Sequence, residues 1–295
     1  DNGFLGRWGN RSLLARFGEI ADSRAQIGHV TRESDLAEDP ARRRFEMIKK
    51  PIFNLMVMLS LLGDERCAVA GAGDAAADVG IIATVRGAEQ VAVLVYHSRD
   101  RITSSGEEQI ELHLNGIPFE HGVLAHYRID EQHGDPFGVW EAMGVPETPT
   151  AEQFDAMRAA QELALLEEPR EATFENGNLA LTFDLPLPGV SLILLSARPA
   201  EPPGKVQNVR AGRYEGLTGQ EQVLLSWQGV GSRVIRTYEV LRADSPGSSF
   251  RRVNAPDLLC TAYLYSAPSV RGIYRIRAVD YWGRAGEASN PITVV

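Results

Sequence analysis

The stretch His126-Tyr127-Arg128-Ile129-Asp130-Glu131-Gln132-His133-Gly134-Asp135 divides the chain into two parts, each rich in strand-like alternation. Charged side chains crowd together in this stretch, and Gly134 and Pro136 predict a turn at its end. Charged residues on a loop that a sheet supports often bind ligands, so Asp130 and His133 are candidates for a loop near a functional site. A solvated polar loop is the alternative interpretation, and composition alone favours it.

Short runs of alternating apolar and polar residues flank this stretch on both sides, as is typical of half-buried strands. The candidate strands cover residues 67–70, 79–85, 91–96, 109–114, 123–129, 171–174, 179–183 and 191–196. Asn115-Gly116 and Asn176-Gly177 predict hairpin turns, and Thr150 predicts the N-cap of a helix from Ala151 to about Leu166. Many short strands with frequent turn signals predict an antiparallel β-sandwich over residues 65–200.

The first 64 residues follow a different pattern. Residues 12–17 predict a strand, and Asp39-Pro40 is typical of a helix start. Apolar residues then recur at helical spacing from Ala41 to Leu62, with a kink expected at Pro51. Because one strand and one helix cannot bury their own apolar faces, we expect residues 1–64 to be part of an α/β domain.

A proline-rich linker at residues 199–204 predicts a domain boundary. Beyond it, seven candidate strands cover residues 206–211, 222–227, 237–242, 250–253, 262–265, 272–279 and 292–294. This number of short strands predicts a second, smaller sandwich over residues 201–295.

Composition excludes several classes of function. Acidic residues outnumber basic ones by 39 to 30, and the net charge of -9 disfavours nucleic acid as a partner. No apolar run is long enough to span a membrane, so we expect no membrane partner. Two cysteines, Cys67 and Cys260, are too few for a disulfide framework or a zinc site, and we expect them to be small buried hydrophobes. We therefore expect neither a metal nor a cofactor.

The sequence begins abruptly at Asp1 without an initiator methionine or a signal peptide. We expect it to be the interior of a longer protein, which leaves the cellular compartment open.

Residues 201–295 resemble a fibronectin type III domain. Trp227 lies in the second predicted strand and Tyr274 in the penultimate one, where such domains bury core aromatic residues. The resemblance implies a seven-stranded sandwich. It says little about function, because such modules serve mostly as spacers or interaction surfaces.

Several longer motifs occur together, in the same order, in one known enzyme family. They are Asp1-Asn2-Gly3-Phe4-Leu5, Ser12-Leu13-Leu14-Ala15-Arg16-Phe17, Lys50-Pro51, Thr150-Ala151-Glu152-Gln153-Phe154, Pro202-Pro203-Gly204 and Tyr274-Arg275-Ile276-Arg277-Ala278-Val279-Asp280-Tyr281-Trp282. Through them the chain resembles glycoside hydrolase family 39, and within it the C-terminal half of the α-L-iduronidases. The residues from Tyr127 to Gly144 are more similar to the β-xylosidases of the same family.

This resemblance implies a mainly β chain with three domains. Residues 1–64 would be the last β/α segment of a (β/α)8 barrel, residues 65–200 a β-sandwich and residues 201–295 the fibronectin type III-like domain. Barrel active sites lie on loops at the C-terminal ends of the strands. The resemblance therefore implies that Asp1, Asn2 and Arg11 bind the sugar, with Arg11 facing a uronic acid carboxylate.

The resemblance also implies a function. The whole enzyme would be a retaining glycosidase that cleaves terminal bonds of uronic-acid-containing glycans, such as glycosaminoglycans, with a carbohydrate as substrate. The resemblance implies that its two catalytic carboxylates come from earlier barrel strands. We therefore expect no catalytic residue in this chain, which would be inactive without the missing N-terminal barrel. The alternatives are a β-xylosidase of the same family and a non-catalytic tandem β-sandwich that binds carbohydrate or protein.

Overall fold

The structure, a computed structural model, describes residues 8, 12–18, 45–71, 78–99, 105–232 and 234–295. The chain forms two compact units. The sandwich unit consists of Asn54–Asp135 and Leu163–Glu201, and the composite unit of Asp1–Phe53, Pro136–Glu162 and Pro202–Val295. The division into three domains predicted from the sequence stays a prediction.

Most of the described residues lie in strands or in the turns between them. The elements are β1 (Leu14–Gly18), β2 (Phe45–Lys49), α1 (Pro51–Ser60), β3 (Glu65–Arg66), β4 (Val79–Arg86), β5 (Gln90–His97), β6 (Gly106–Asn115), β7 (His121–Ile129), α2 (Pro136–Ala142), α3 (Ala151–Ala160), β8 (Ala164–Thr173), β9 (Asn178–Leu187), β10 (Gly189–Ala197), β11 (Gln207–Glu215), β12 (Glu221–Gln228), β13 (Ile235–Ala243), β14 (Arg251–Arg252), β15 (Ala262–Ala267), β16 (Gly272–Asp280) and β17 (Ile292–Val294). Every strand pair is antiparallel, and no sheet in the described ranges closes into a barrel. No helix within these ranges is long and apolar enough to cross a membrane. The mainly β fold class predicted from the sequence is confirmed.

The sandwich unit packs a six-stranded sheet, with the order β3-β4-β5-β10-β7-β8, against the two-stranded sheet β6-β9. Apolar residues on the central strands β5 and β10, such as Val93 and Ile193, are fully buried in the core. On β9, Leu185 is fully buried in the same core. The antiparallel sandwich predicted from the sequence is confirmed.

The two predicted hairpin turns have the expected local geometry but a different role. Gly116, Asn176 and Gly177 all have positive φ, of 79°, 54° and 71°. However, β6 pairs with β9, and β7 pairs with β8 and β10, so these turns carry the chain between sheets. Ile117 N donates to Gly177 O at 2.9 Å, which joins the two turns. The prediction of two hairpins is wrong, because turn chemistry is local while sheet pairing is not.

Seven strands at the end of the composite unit form a second sandwich, with sheets β11-β12-β15 and β14-β13-β16-β17. Trp227 is 6% exposed and Tyr274 is fully buried, as predicted for its core aromatics. The Tyr274 hydroxyl donates to Val270 O at 2.5 Å, a bond to the backbone four residues upstream like that of the tyrosine corner in related sandwiches. The predicted seven-stranded module is confirmed.

The rest of the composite unit is built around a small aromatic core. The β1-β2 pair contributes Phe17 and Ile48, and the helices α2 and α3 contribute Trp140 and Phe154. The rings of Phe17 and Phe154 meet edge-on with centroids 5.1 Å apart. Thr150 caps α3 with a capping box, as its sequence predicted.

Two predicted helices are longer than the observed ones. Residues 45–49 form the strand β2, and Pro51 begins α1 instead of kinking a longer helix. Proline disfavours a helical residue before it and fits the first helical position, so it separates the strand from the helix. Similarly, α3 ends at Ala160, and residues 164–173 form β8. The helix predictions over 45–50 and 161–166 are therefore wrong, and α2 was missed.

Glu46 joins all three segments of the composite unit. Its side chain is fully buried and accepts hydrogen bonds from Arg158 on α3 and Gln222 on β12. Burial raises the pKa of this carboxyl, although Arg158, Gln222 and a backbone hydrogen bond from Leu217 act in the opposite direction. A buried carboxylate with one guanidinium partner makes the unit dependent on that partner.

Lys49 makes a second charged contact in the same unit. Its Nζ donates to Glu162 Oε2 at 2.6 Å and to Cys260 Sγ at 3.2 Å. Burial opposes protonation of the Lys49 ammonium, but Cys260 and Glu162 together raise its pKa. Both cysteines are free, and each packs against a hydrophobic core, but they are half-buried and therefore less buried than expected.

Candidate functional site

The structure places only part of the predicted site. Asp1, Asn2 and Arg11 lie outside the described residues. Asp130 and His133 lie together in the sandwich unit, where His133 Nδ1 is 2.7 Å from Asp130 Oδ1.

The cluster begins on β7, which ends at Ile129. His126, Arg128 and Asp130 alternate along the chain, and side chains two residues apart in a strand share one face. Leu124, two residues before His126 and therefore on the same face, lies in the sandwich core. The strand thus sets three polar side chains in a row at the edge of an apolar interior.

A tight turn follows the strand. Asp130 N donates to His133 O at 3.1 Å, and His133 N donates to Asp130 O at 3.2 Å. Gln132 N donates to Asp130 Oδ1 at 2.8 Å, so the side chain closes its own turn, as aspartate commonly does. Gly134 follows with a φ of 67°. Local chemistry therefore fixes the loop that the sequence singled out.

Arg128 holds this turn to the sandwich. Its Nη1 donates to Asp130 Oδ2 at 3.3 Å, its Nη2 to Asp184 O at 2.8 Å and its Nε to Ser191 Oγ at 2.9 Å. The side chains of Arg128 and Asp130 are 3% and 5% exposed. This is a buried ion pair with its remaining donors bound, the arrangement that a buried charge requires.

Electrostatics set the protonation of the cluster. Burial alone would raise the pKa of the Asp130 carboxyl, but the hydrogen bonds from Gln132 and His133 and the charge of Arg128 hold it below its usual value. Burial, with a smaller contribution from Arg128, lowers the pKa of His126 to about 4. His126 is therefore neutral near pH 7, and its Nε2 lies 2.9 Å from Ser191 Oγ.

This arrangement fits a support for a loop better than a catalytic centre. The Asp130 carboxylate is fully engaged by three partners, and Ser191 is fully buried. His133 keeps 29% of its side chain exposed, so it is the member of the cluster that a ligand reaches most easily. Whether this loop borders a substrate site stays a prediction.

Comparison with known sequences places the chain in a family. The profile of glycosyl hydrolases family 39 matches residues 21–178, and the profile of the alpha-L-iduronidase C-terminal domain matches residues 214–295. The chain belongs to glycosyl hydrolases family 39. The resemblance inferred from the motifs is thereby confirmed, and the chain is iduronidase-like within the family.

Individual relatives agree with this assignment. The alpha-L-iduronidases of Homo sapiens and Canis lupus familiaris are each 34% identical to the chain, over 84% and 85% of its length. The match covers 39% and 40% of those two proteins. A solved structure described as the bacterial orthologue of human α-L-iduronidase has a TM-score of 0.83 and 29% identity, covering 100% of this chain and 48% of that one. The chain thus spans less than half the length of these family 39 relatives.

The sequence reasoning missed three members of the cluster. His126 and Arg128 stood in the stretch that was singled out, but they were not predicted to be site residues. Their alternation with Asp130 along one strand was the available signal. Ser191 lies on β10, 63 residues from Arg128, and no local pattern connects the two.

Proposed function

We propose that the chain is part of a retaining glycosidase that removes terminal uronic acid residues from glycans, as an α-L-iduronidase does. The observation that carries this proposal is the match of residues 214–295 to the alpha-L-iduronidase C-terminal domain. The 34% identity to the human alpha-L-iduronidase over 84% of the chain supports it further.

The proposed reaction needs an acid/base carboxyl and a nucleophilic carboxylate about 5–5.5 Å apart. We place both in the part of the whole protein that lies outside these 295 residues. Asp130 fits neither role, because a reacting carboxylate must reach the substrate and this one is 5% exposed and bound by Arg128. The isolated chain is accordingly expected to be inactive.

Within this proposal, Asp1, Asn2 and Arg11 belong to the substrate site. A uronic acid carries a carboxylate where xylose has only a hydrogen, and an unpaired carboxylate in a partly dehydrated pocket is costly. Arg11 is the residue that the family resemblance sets against this carboxylate, through a bidentate contact. Asp1 and Asn2 are proposed to bind hydroxyl groups, which both sugars share.

The test compares two substrates in the whole protein. Arg11→Ala is expected to raise the activation barrier for an aryl α-L-iduronide by about 2–5 kcal/mol, the effect of removing one member of a buried charge pair. It should change hydrolysis of an aryl β-D-xyloside much less, whereas Asp1→Ala should weaken both reactions. Arg16, an exposed arginine on β1, provides the control variant Arg16→Ala.

An equal loss of kcat/KM on both substrates would remove the carboxylate role from Arg11. In that case the β-xylosidase alternative would gain support. If neither substrate is cleaved by the whole protein, the non-catalytic binding module becomes the better interpretation.

A further inference from the structure

Charge is distributed unevenly along the chain. The sandwich unit holds 7 basic and 19 acidic side chains, a formal charge of -12. Residues 202–295 hold 12 basic and 7 acidic side chains, a formal charge of +5. Eleven of these twelve basic residues are arginines. The seven-stranded module therefore attracts anions although the whole chain carries -9.

Three arginines share one face of the four-stranded sheet in this module. Arg252 on β14 and Arg275 on β16 both lie opposite Leu241 of β13. Arg277 is two residues beyond Arg275 and lies opposite Glu239, so these side chains are on the same side of the sheet. We call Arg252, Arg275 and Arg277 the arginine face.

The arginine face points away from the core of its module. Val240 lies between Glu239 and Leu241, and Ile276 lies between Arg275 and Arg277. Both Val240 and Ile276 are fully buried in that core, so their neighbours point to the other side of the sheet. The side chains of Arg252 and Arg277 are 30% and 39% exposed, and Phe250 is 38% exposed. The face is therefore accessible to a ligand.

Charge on the arginine face exceeds what its one acidic neighbour can neutralise. Glu239 accepts from Arg277 Nε at 2.5 Å and lies 3.5 Å from Arg252 Nη1, so one carboxylate serves two guanidinium groups. The guanidinium of Arg275 lies 5.2 Å from the centre of the Phe250 ring, and no carboxylate in the described part of the chain pairs with it. Two net positive charges remain beside an exposed aromatic ring.

The opposite sheet of the module is already occupied. Gln222 on β12 donates to the buried Glu46, and Cys260, just before β15, contacts Lys49. That sheet holds the module to the rest of the composite unit. The arginine face lies on the other sheet, so a ligand bound there would not compete with this internal contact.

We propose that the arginine face is a binding site for a linear polyanionic glycan. Guanidinium groups bind carboxylates and sulfates through paired hydrogen bonds, and neighbouring strands and alternate residues space the three groups by about 7–10 Å. The kind of partner rests on the proposed function, since a glycosidase of uronic-acid glycans works on such polymers. The site would hold such a polymer through its acidic groups.

The test measures binding of the whole protein to heparin, to a neutral dextran and to single-stranded DNA at several salt concentrations. The triple variant Arg252→Gln, Arg275→Gln, Arg277→Gln is expected to bind heparin at least about tenfold more weakly, with a smaller salt dependence. The matched control replaces the exposed Arg66, Arg170 and Arg210 by Gln, which removes the same charge from other surfaces. Heparin binding of the control should stay within about twofold of the wild type.

A second variant guards against loss of folding. Among the described residues, Glu239 is the only acidic neighbour of the arginine face. Glu239→Gln removes its charge and should tighten heparin binding. None of these variants should change hydrolysis of a small aryl uronide, so the binding result is independent of whether the proposed activity is correct. Equal losses in both triple variants, weaker binding by Glu239→Gln, or DNA binding stronger than heparin binding would each overturn the proposal.

Discussion

Replacing Arg158 by methionine probes the contact that joins the three segments of the composite unit. Glu46 is fully buried, and Arg158 is its charged partner, with 17% of its side chain exposed. Methionine keeps much of the side-chain volume beside Phe154 but removes the charge. Glu46 then keeps only the Gln222 and Leu217 hydrogen bonds.

The magnitude follows from the burial of the pair. Two unit charges in contact interact by about 4 kcal/mol at an effective dielectric constant of ~20, and breaking a buried pair costs about 3–5 kcal/mol. Because Arg158 is partly solvated, we expect a loss near the lower limit, about 3 kcal/mol at pH 7.

The loss should depend on pH in a defined direction. The folded-state pKa of Glu46 is already raised above its unfolded value, so the folded state binds the proton more tightly. The unfolding free energy therefore falls as pH rises above the unfolded pKa, until the folded pKa is passed. Removing Arg158 raises the folded-state pKa of Glu46 further. The unfolding free energy of the variant therefore continues to fall up to a higher pH than that of the wild type. The difference between variant and wild type should be small near pH 4 and largest above pH 7.

Urea unfolding followed by tryptophan fluorescence measures this difference directly. All four tryptophans belong to the composite unit, so fluorescence reports on that unit alone. Lys205→Met is the control, because Lys205 and Glu287 form an exposed pair 2.7 Å apart in the same unit and should contribute little to its stability. A loss below about 1 kcal/mol at pH 7, or a loss that does not change with pH, would refute this reasoning.

Two further predictions concern single hydrogen-bonded groups. Thr150→Ala should destabilise the composite unit by about 1 kcal/mol through loss of the helix cap, and Thr150→Ser should restore most of it, measured by the same fluorescence assay. Asp130→Asn should destabilise the sandwich unit by about 2–3 kcal/mol at pH 7, because it leaves Arg128 buried without a counter-charge. Since the folded pKa of Asp130 is depressed, its contribution is present above the unfolded pKa and lost as pH falls through the folded value. In unfolding experiments followed by circular dichroism, the loss of unfolding free energy caused by Asp130→Asn should therefore disappear in acid. A loss that persists in acid would contradict the buried ion pair between Arg128 and Asp130.

Local patterns in the sequence predicted the parts of the fold that depend on local chemistry. Alternation located most strands of both sandwiches, although the strand predicted over residues 67–70 is absent and the first part of β8 was predicted to be helix, and Thr150 located the start of α3. Strand β2 was missed because its buried residues include Glu46, whose partners Arg158 and Gln222 are 112 and 176 residues away. No window of sequence around Glu46 contains the reason for burying a carboxylate.

In the candidate site too, local sequence predicted some contacts and could not predict others. The contact between Asp130 and His133 is made within one turn, and the sequence stretch pointed to it. The anchoring of that turn by Arg128 to Ser191 and Asp184 depends on sheet packing between distant strands. The proposed sugar-binding role of Arg11 came from family resemblance and not from any property of its neighbours.

The central claim, a uronide-cleaving enzyme whose catalytic carboxylates lie outside these 295 residues, is tested most directly by one assay. The whole protein and the isolated chain are each incubated with an aryl α-L-iduronide and an aryl β-D-xyloside, and the released aglycone is followed by fluorescence. We expect the whole protein to cleave the iduronide far faster than the xyloside and the isolated chain to cleave neither. Faster cleavage of the xyloside by the whole protein, or measurable turnover by the isolated chain, would contradict the account.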